Sequence, residues 1–189
     1  MENKQKLAIF DLDGTLFDTG RVNYLAYQKA LGELGFSLSE ETYRRDCNGR
    51  HYRDYLPAVA PGITDAEMER VHEAKKRYYP LFLGEARVNA HLLACMEGLR
   101  GQGYRMALVT TASRKNCTDI LQRFGLETAF ARIWSQEDIA RVKPDPEGFL
   151  LAMAAFAVEP EDTVIFEDSD DGVAAATASG ASVIRVERF

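Results

Sequence analysis

Residues 7–19 read Leu7-Ala8-Ile9-Phe10-Asp11-Leu12-Asp13-Gly14-Thr15-Leu16-Phe17-Asp18-Thr19. Four apolar residues run without a break into an acidic turn, the pattern of a buried strand ending on polar groups. On a regular strand Asp11 and Asp13 would share a face, and two carboxylates that close need a cation or a shared proton. Gly14 lets the chain turn sharply, and Thr15 offers a hydroxyl and a backbone N–H. The same residues also suit a plain strand end and Asp-Gly turn, with Asp18 or Thr19 capping the next helix.

Downstream of Ala90 the pattern alternates. A helix over 91–99 leads through Gly101 and Gly103 to a strand at 105–109, and a helix over 115–124 stops at Gly125. A short strand at 132–134 precedes a helix opening at Asp145-Pro146-Glu147. A strand at 163–166, an Ala-rich helix over 172–179 and a strand at 182–186 complete the series. Strand and helix in alternation predict a parallel, doubly wound α/β sheet. The segment from about Arg21 to Arg87 interrupts that alternation and reads as helical. Val22, Leu25, Ala26, Ala30 and Leu34 recur at helical spacing, Gly35 is placed to end that helix, and Thr64-Asp65-Ala66-Glu67 has the spacing of a capping box. Beyond that box Met68, Val71, Tyr78 and Phe82 make an apolar face. The expected organisation is a core of residues 1–19 and 88–189, with residues 20–87 inserted above the sheet.

A second acidic run, Phe166-Glu167-Asp168-Ser169-Asp170-Asp171-Gly172, follows another predicted strand and reaches the same sheet edge, where open α/β folds bind ligands. Two carboxylate clusters there make an all-oxygen site suited to Mg²⁺, with Glu167 and Asp168 the better ligands. Asp170 and Asp171 also fit a solvated helix start. Thr110-Thr111-Ala112-Ser113 ends one strand and opens a helix, a place for phosphate oxygens or for ordinary capping. Lys143, on the Pro-stiffened turn Val142-Lys143-Pro144-Asp145-Pro146, can give a point charge to a phosphate or a buried carboxylate.

These four pieces in this order resemble the haloacid dehalogenase-like superfamily. The helical insertion after the first motif is similar to its C1-capped group, which includes phosphoglycolate phosphatase and β-phosphoglucomutase. The resemblance implies a Rossmann-like core with a mobile helical cap. It implies Asp11 as the nucleophile that forms an aspartyl-phosphate and Asp13 as general acid and then base. Mg²⁺ would be held by the Asp11 carboxylate, the Asp13 backbone carbonyl and Asp168, with Glu167 nearby as ligand or in support. Thr110, Thr111 and Lys143 would bind phosphoryl oxygens. Asn48 to Asp54 resembles the cap loop that selects substrate, which makes Arg50, His51 and Arg53 candidate substrate contacts. The acid at Asp13 separates the chain from the dehalogenases, whose leaving halide needs no proton. The implied activity is Mg²⁺-dependent hydrolysis of a small phosphorylated metabolite. Alternatives are a hexose-phosphate mutase like β-phosphoglucomutase and a non-catalytic phospho-Asp switch; Thr15, where mutases often carry Val, leans to the phosphatase. Members of the family usually continue past the strand at 182–186, so an open sheet edge is expected there.

Composition agrees with a globular chain that can bury a sizeable core. The 189 residues carry 29 acidic and 23 basic groups, a net charge of −6, which argues against binding nucleic acid or an anionic membrane by bulk charge. Seven of the acids, Asp11, Asp13, Asp18, Glu167, Asp168, Asp170 and Asp171, fall in the two clusters, so the charge is expected to concentrate at the metal site. Cys47, Cys95 and Cys117 lie far apart with no CxxC pair and read as reduced structural thiols. His72 and His91 are expected in surface or packing roles. The polar start, residues 1–6, has no apolar run of signal-peptide length, and a cytoplasmic location is expected.

Overall fold

Five parallel strands are laid down in the chain order β1 Lys6–Phe10, β2 Tyr104–Val109, β3 Arg132–Trp134, β4 Thr163–Glu167 and β5 Ser182–Arg185. Their spatial order is β3-β2-β1-β4-β5. The structure is a computed structural model and describes residues 5–187 and 189. The polar start of the sequence therefore lies mostly outside the described residues.

The unbroken apolar run at Leu7–Phe10 is fully buried because helices cover both faces of a parallel sheet. On one face Leu7, Ile9, Ala107, Val109 and Ile165 pack with Trp134, Phe149, Met153 and Phe156. On the other, Phe10 stacks on Phe166 at 4.7 Å between ring centres and tilts against Phe130 at 6.3 Å. The chain order reverses at β1, and open sheets bind ligands at such a switch point. The register finishes the job: Phe10 is level with Leu108 on one side and Phe166 on the other. The next residues, Asp11, Val109 and Glu167, thus leave the sheet side by side.

The chain divides into two compact units. One runs up to Asp18, resumes at Val88 and contains the sheet; the other is Thr19–Arg87. The second is helical, with α1 Gly20–Gly32, a π-helical turn Tyr43–Cys47, α2 Tyr52–Val59 and α3 Asp65–Tyr78, then a 3₁₀ segment Tyr79–Glu85. It has its own core of Tyr24, Tyr27, Tyr43, Tyr55, Leu56, Met68 and Val71. The Thr64 capping box is present, with the Thr64 hydroxyl accepting from Glu67 N–H and the Glu67 carboxylate accepting from Thr64 N–H. α1 ends three residues before Gly35: the chain turns through bonds from Gly35 N–H to Gly32 and from Phe36 N–H to Leu31, and Gly35 supplies the positive φ of +80°.

Helices α4 Ala90–Gly101, α5 Arg114–Arg123, α6 Glu147–Phe156 and α7 Asp170–Ala178 connect the strands of the sheet unit. α7 begins two residues before the expected start because the Ser169 side chain caps it through Gly172 N–H. Cys47 and Cys117 are buried free thiols; Cys95 is an exposed free thiol on α4 and has no packing role of the expected kind. His91 is exposed, whereas His72 packs inside the helical unit. β5 forms one edge of the sheet, with Ile184 exposed. No helix among the described residues is long and apolar enough to cross a membrane.

Candidate active site

Lys143 closes the three adjacent strand ends. Its ammonium lies 2.6 Å from Asp11 Oδ1, 2.6 Å from Glu167 Oε1 and 3.2 Å from the Val109 carbonyl, and all three accept from it. The turn that carries it is held by its neighbours. Asp145 accepts from Glu147 N–H, and the Glu147 carboxylate accepts from the N–H groups of Ala140 and Arg141. The sequence suggested stiffness from the prolines; the return bonds from Glu147 carry no sequence signal beyond a helix-start acid.

Asp11 is buried at the end of β1, and its N–H donates to the Phe166 carbonyl. Beyond it the chain folds back on itself. Leu16 and Phe17 N–H donate to the Leu12 carbonyl, and Gly14 N–H donates to Phe17. Gly14 has φ +93°, and a Cβ there would overlap the Asp168 carboxylate, so glycine is needed for backbone and for space. Thr15, fully buried, donates its hydroxyl to Asp168 Oδ1 at 2.9 Å.

Carboxylate oxygens of Asp11, Glu167 and Asp168 all lie within 4.8 Å of one another, and all three residues are buried. Asp13 is half-buried on the same loop, opposite Phe17. Three carboxylates around one ammonium leave an excess of negative charge. Burial pushes the Asp11 carboxyl up to about 8; Lys143 opposes that shift and the Glu167 charge adds to it. Burial works against the charged form of Lys143, but Asp11 and Glu167 outweigh it and raise its pKa. An all-oxygen, buried, over-negative cluster of this size fits a hard divalent cation. Glu167 has both oxygens engaged, Oε1 by Lys143 and Oε2 by the Ser169 N–H and hydroxyl.

The expected gathering of seven acids is only partly found. Asp170 is exposed in the first turn of α7 and pairs with Arg185, and Asp171 is exposed on the same turn, since a helix start turns these side chains to solvent. The net charge is therefore spread over the surface as well as held in the pocket.

Thr110 is buried at the end of β2, its Oγ1 accepting from Ala112 N–H at 3.0 Å, while Thr111 is exposed. Ser113 caps α5 through Asn116 N–H. Arg50, His51 and Arg53 belong to the helical unit. Arg50 donates to the Asp46 carbonyl, and His51 Nδ1 accepts weakly from Arg53 N–H at 3.4 Å. Arg53 is engaged by Glu69 at 2.7 Å and lies over the Tyr52 ring.

The family described as haloacid dehalogenase-like hydrolase matches residues 8–186. The chain belongs to that family. This hydrolase is 32% identical over 177 residues to a phosphorylated carbohydrates phosphatase of Thermotoga maritima, covering 91% of this chain and 80% of the relative. It is 26% identical over 192 residues to a β-phosphoglucomutase of Bacillus subtilis, covering 96% and 83%. A crystal structure of a predicted phosphoglycolate phosphatase from Haemophilus somnus superposes with a TM-score of 0.86 at 24% identity, over 98% of this chain and 87% of that one, and establishes the shared fold. Within the family the hydrolase is of the phosphoric monoester class.

Proposed function

We propose that this hydrolase is a Mg²⁺-dependent phosphatase of small phosphorylated metabolites, with phosphorylated sugars the favoured class. The observation that carries the proposal is the Asp11–Lys143–Glu167 arrangement at three level strand ends, with Asp168 against Asp11 and Asp13 two residues further on. The sugar class is supported by the similarity to the Thermotoga maritima phosphatase.

In this reading a carboxylate oxygen of Asp11 attacks phosphorus and the ester P–O bond breaks. Asp13 gives its proton to the leaving oxygen. Asp13 then takes a proton from water, whose oxygen attacks phosphorus. The bond from phosphorus to Asp11 breaks, and phosphate leaves. Lys143 orients the Asp11 carboxylate through Oδ1 and offsets charge at the phosphoryl group; Thr110 and Thr111 hold its oxygens. Asp11, Asp168 and the Asp13 carbonyl would hold Mg²⁺, with Glu167 beside them. The cation supplies electrostatic stabilisation that lets an anionic nucleophile approach an anionic ester. Arg50 and His51 are proposed substrate contacts; Arg53 is weaker in that role because Glu69 engages it. The free thiols suit the reducing cytoplasm.

The second reading is a hexose-phosphate mutase, favoured by the β-phosphoglucomutase relative. The test is a panel of phosphate esters, sugar phosphates included, assayed with and without Mg²⁺ on wild type and Asp11→Asn. Phosphate release that requires both Asp11 and Mg²⁺ is expected. Equal release by the two proteins, or indifference to the metal, would overturn the mechanism. Conversion of β-glucose 1-phosphate to glucose 6-phosphate with little free phosphate would select the mutase. A lasting phospho-Asp11 with no ester turnover would select a switch.

A further inference from the structure

Asp168 is confined by two consecutive residues of the loop that also carries Asp11 and Asp13. Gly14 presses its backbone against the carboxylate so closely that a methyl group would overlap it. Thr15 adds its hydroxyl to Oδ1 at 2.9 Å, a bond buried in the core between residues 153 apart in sequence. Thr15 is itself immobilised. Its carbonyl accepts from Asn89 Nδ2 at 3.3 Å, and the carbonyl of the next residue, Leu16, accepts from Asn89 N–H at 2.9 Å. A donor this firmly held fixes the rotation of the carboxylate about its terminal bond.

We propose that Thr15 is a positioning residue for the divalent cation. Its hydroxyl pre-orients Asp168, so that cation affinity, and not the chemical step, depends on it. The physical basis is that a carboxylate free to turn must lose that freedom on ligation, whereas one already clamped by a neighbour does not. The inference rests on the proposed role of Asp168 as a metal ligand.

Thr15→Val keeps the shape and deletes the hydroxyl, and Thr15→Ser keeps the hydroxyl and deletes the methyl. Direct Mn²⁺ binding, read from the electron paramagnetic resonance signal of the free ion, is measured on wild type, both variants and Asp168→Asn. The expected result is affinity weakened roughly 10–100-fold by Thr15→Val, restored to within a few-fold by Thr15→Ser, with kcat at saturating Mg²⁺ close to wild type. Should Thr15→Val not fold, Thr15→Ala against Thr15→Ser isolates the hydroxyl on the smaller side chain. Wild-type Mn²⁺ affinity in the variant lacking the hydroxyl, together with weakened Asp168→Asn, overturns the role of Thr15 alone. Undiminished binding by Asp168→Asn overturns the metal assignment beneath it. A fall in kcat at saturating Mg²⁺ with unchanged affinity also overturns the inference.

Discussion

Lys143 Nζ lies 2.6 Å from Asp11 Oδ1, and both side chains are less than a tenth exposed. The same ammonium reaches Glu167 at 2.6 Å. Removing one partner of a buried pair leaves charge without compensation and costs about 3–5 kcal/mol where the remaining group cannot relax. Lys143→Met is therefore expected to lower stability by up to about that amount, measured by urea unfolding. In the proposed mechanism it also lowers kcat/KM by at least ~10²-fold, the scale of losing one preorganised electrostatic group. Lys143→Arg should not rescue it, because a forked guanidinium cannot replace a point charge shared among two carboxylates and the Val109 carbonyl.

Gly172 sets the position of Glu167. A Cβ at Gly172 would overlap the Glu167 carboxylate, which is itself tied to Lys143 and Ser169. Gly172→Ala is expected to destabilise the protein by about 1–3 kcal/mol through overpacking and to lower activity by displacing Glu167 from Lys143. Gly98, in α4, meets no atom within 4 Å of an added methyl. Gly98→Ala should stabilise by about 0.5–1 kcal/mol with activity unchanged. Thermal unfolding and steady-state rates on the pair separate a local clash from a general effect of adding a methyl group.

The cap at Thr64 offers a second stability test, confined to the helical unit. Its hydroxyl and backbone N–H both bond within the first turn of α3. Thr64→Ala is expected to cost about 1 kcal/mol, seen as a lower urea midpoint by circular dichroism, with no change in the rate of the step proposed at Asp11.

The strands, the helix at Gly20–Gly32 and the capping box were legible in the sequence because each is written in neighbouring residues: an apolar run, a helical period, a Thr and a Glu three apart. Asp11, Lys143, Glu167 and Asp168 were legible as candidates because each follows a strand or stiff turn, and parallel pairing brings such ends to one edge. What stayed hidden depends on where the fold returns the chain, near or far, and leaves no periodic trace in the residues. Nothing near Thr15 announces a bond to Asp168, and nothing near Glu147 announces that it fastens the Lys143 turn. Asp170, which the sequence left open between the metal site and a solvated helix start, takes the second place. It neighbours the site in sequence, but a helix start turns it away to Arg185.

The final prediction concerns His72. The ring stacks nearly parallel on Tyr52 at 4.0 Å between centres, and its Nδ1 lies 3.1 Å from the Tyr27 hydroxyl. Burial pushes its pKa down from 6.5 to about 4, with the charges of Lys76 and Lys75 adding to the shift and those of Glu73 and Glu69 opposing it. Between those values the unfolded chain binds a proton that the folded chain refuses. The contribution of neutral His72 is thus fully present above pH 6.5 and is lost as pH falls toward 4. Allowing for partial exposure of the ring, the loss is about 1–2 kcal/mol. Other groups titrate over the same range, so the readout is a difference. His72→Phe keeps an aromatic ring against Tyr52 and removes the proton site. The urea midpoint of wild type should fall more steeply from pH 6.5 to 4.5 than that of His72→Phe; parallel slopes would remove His72 as the acid-sensitive group.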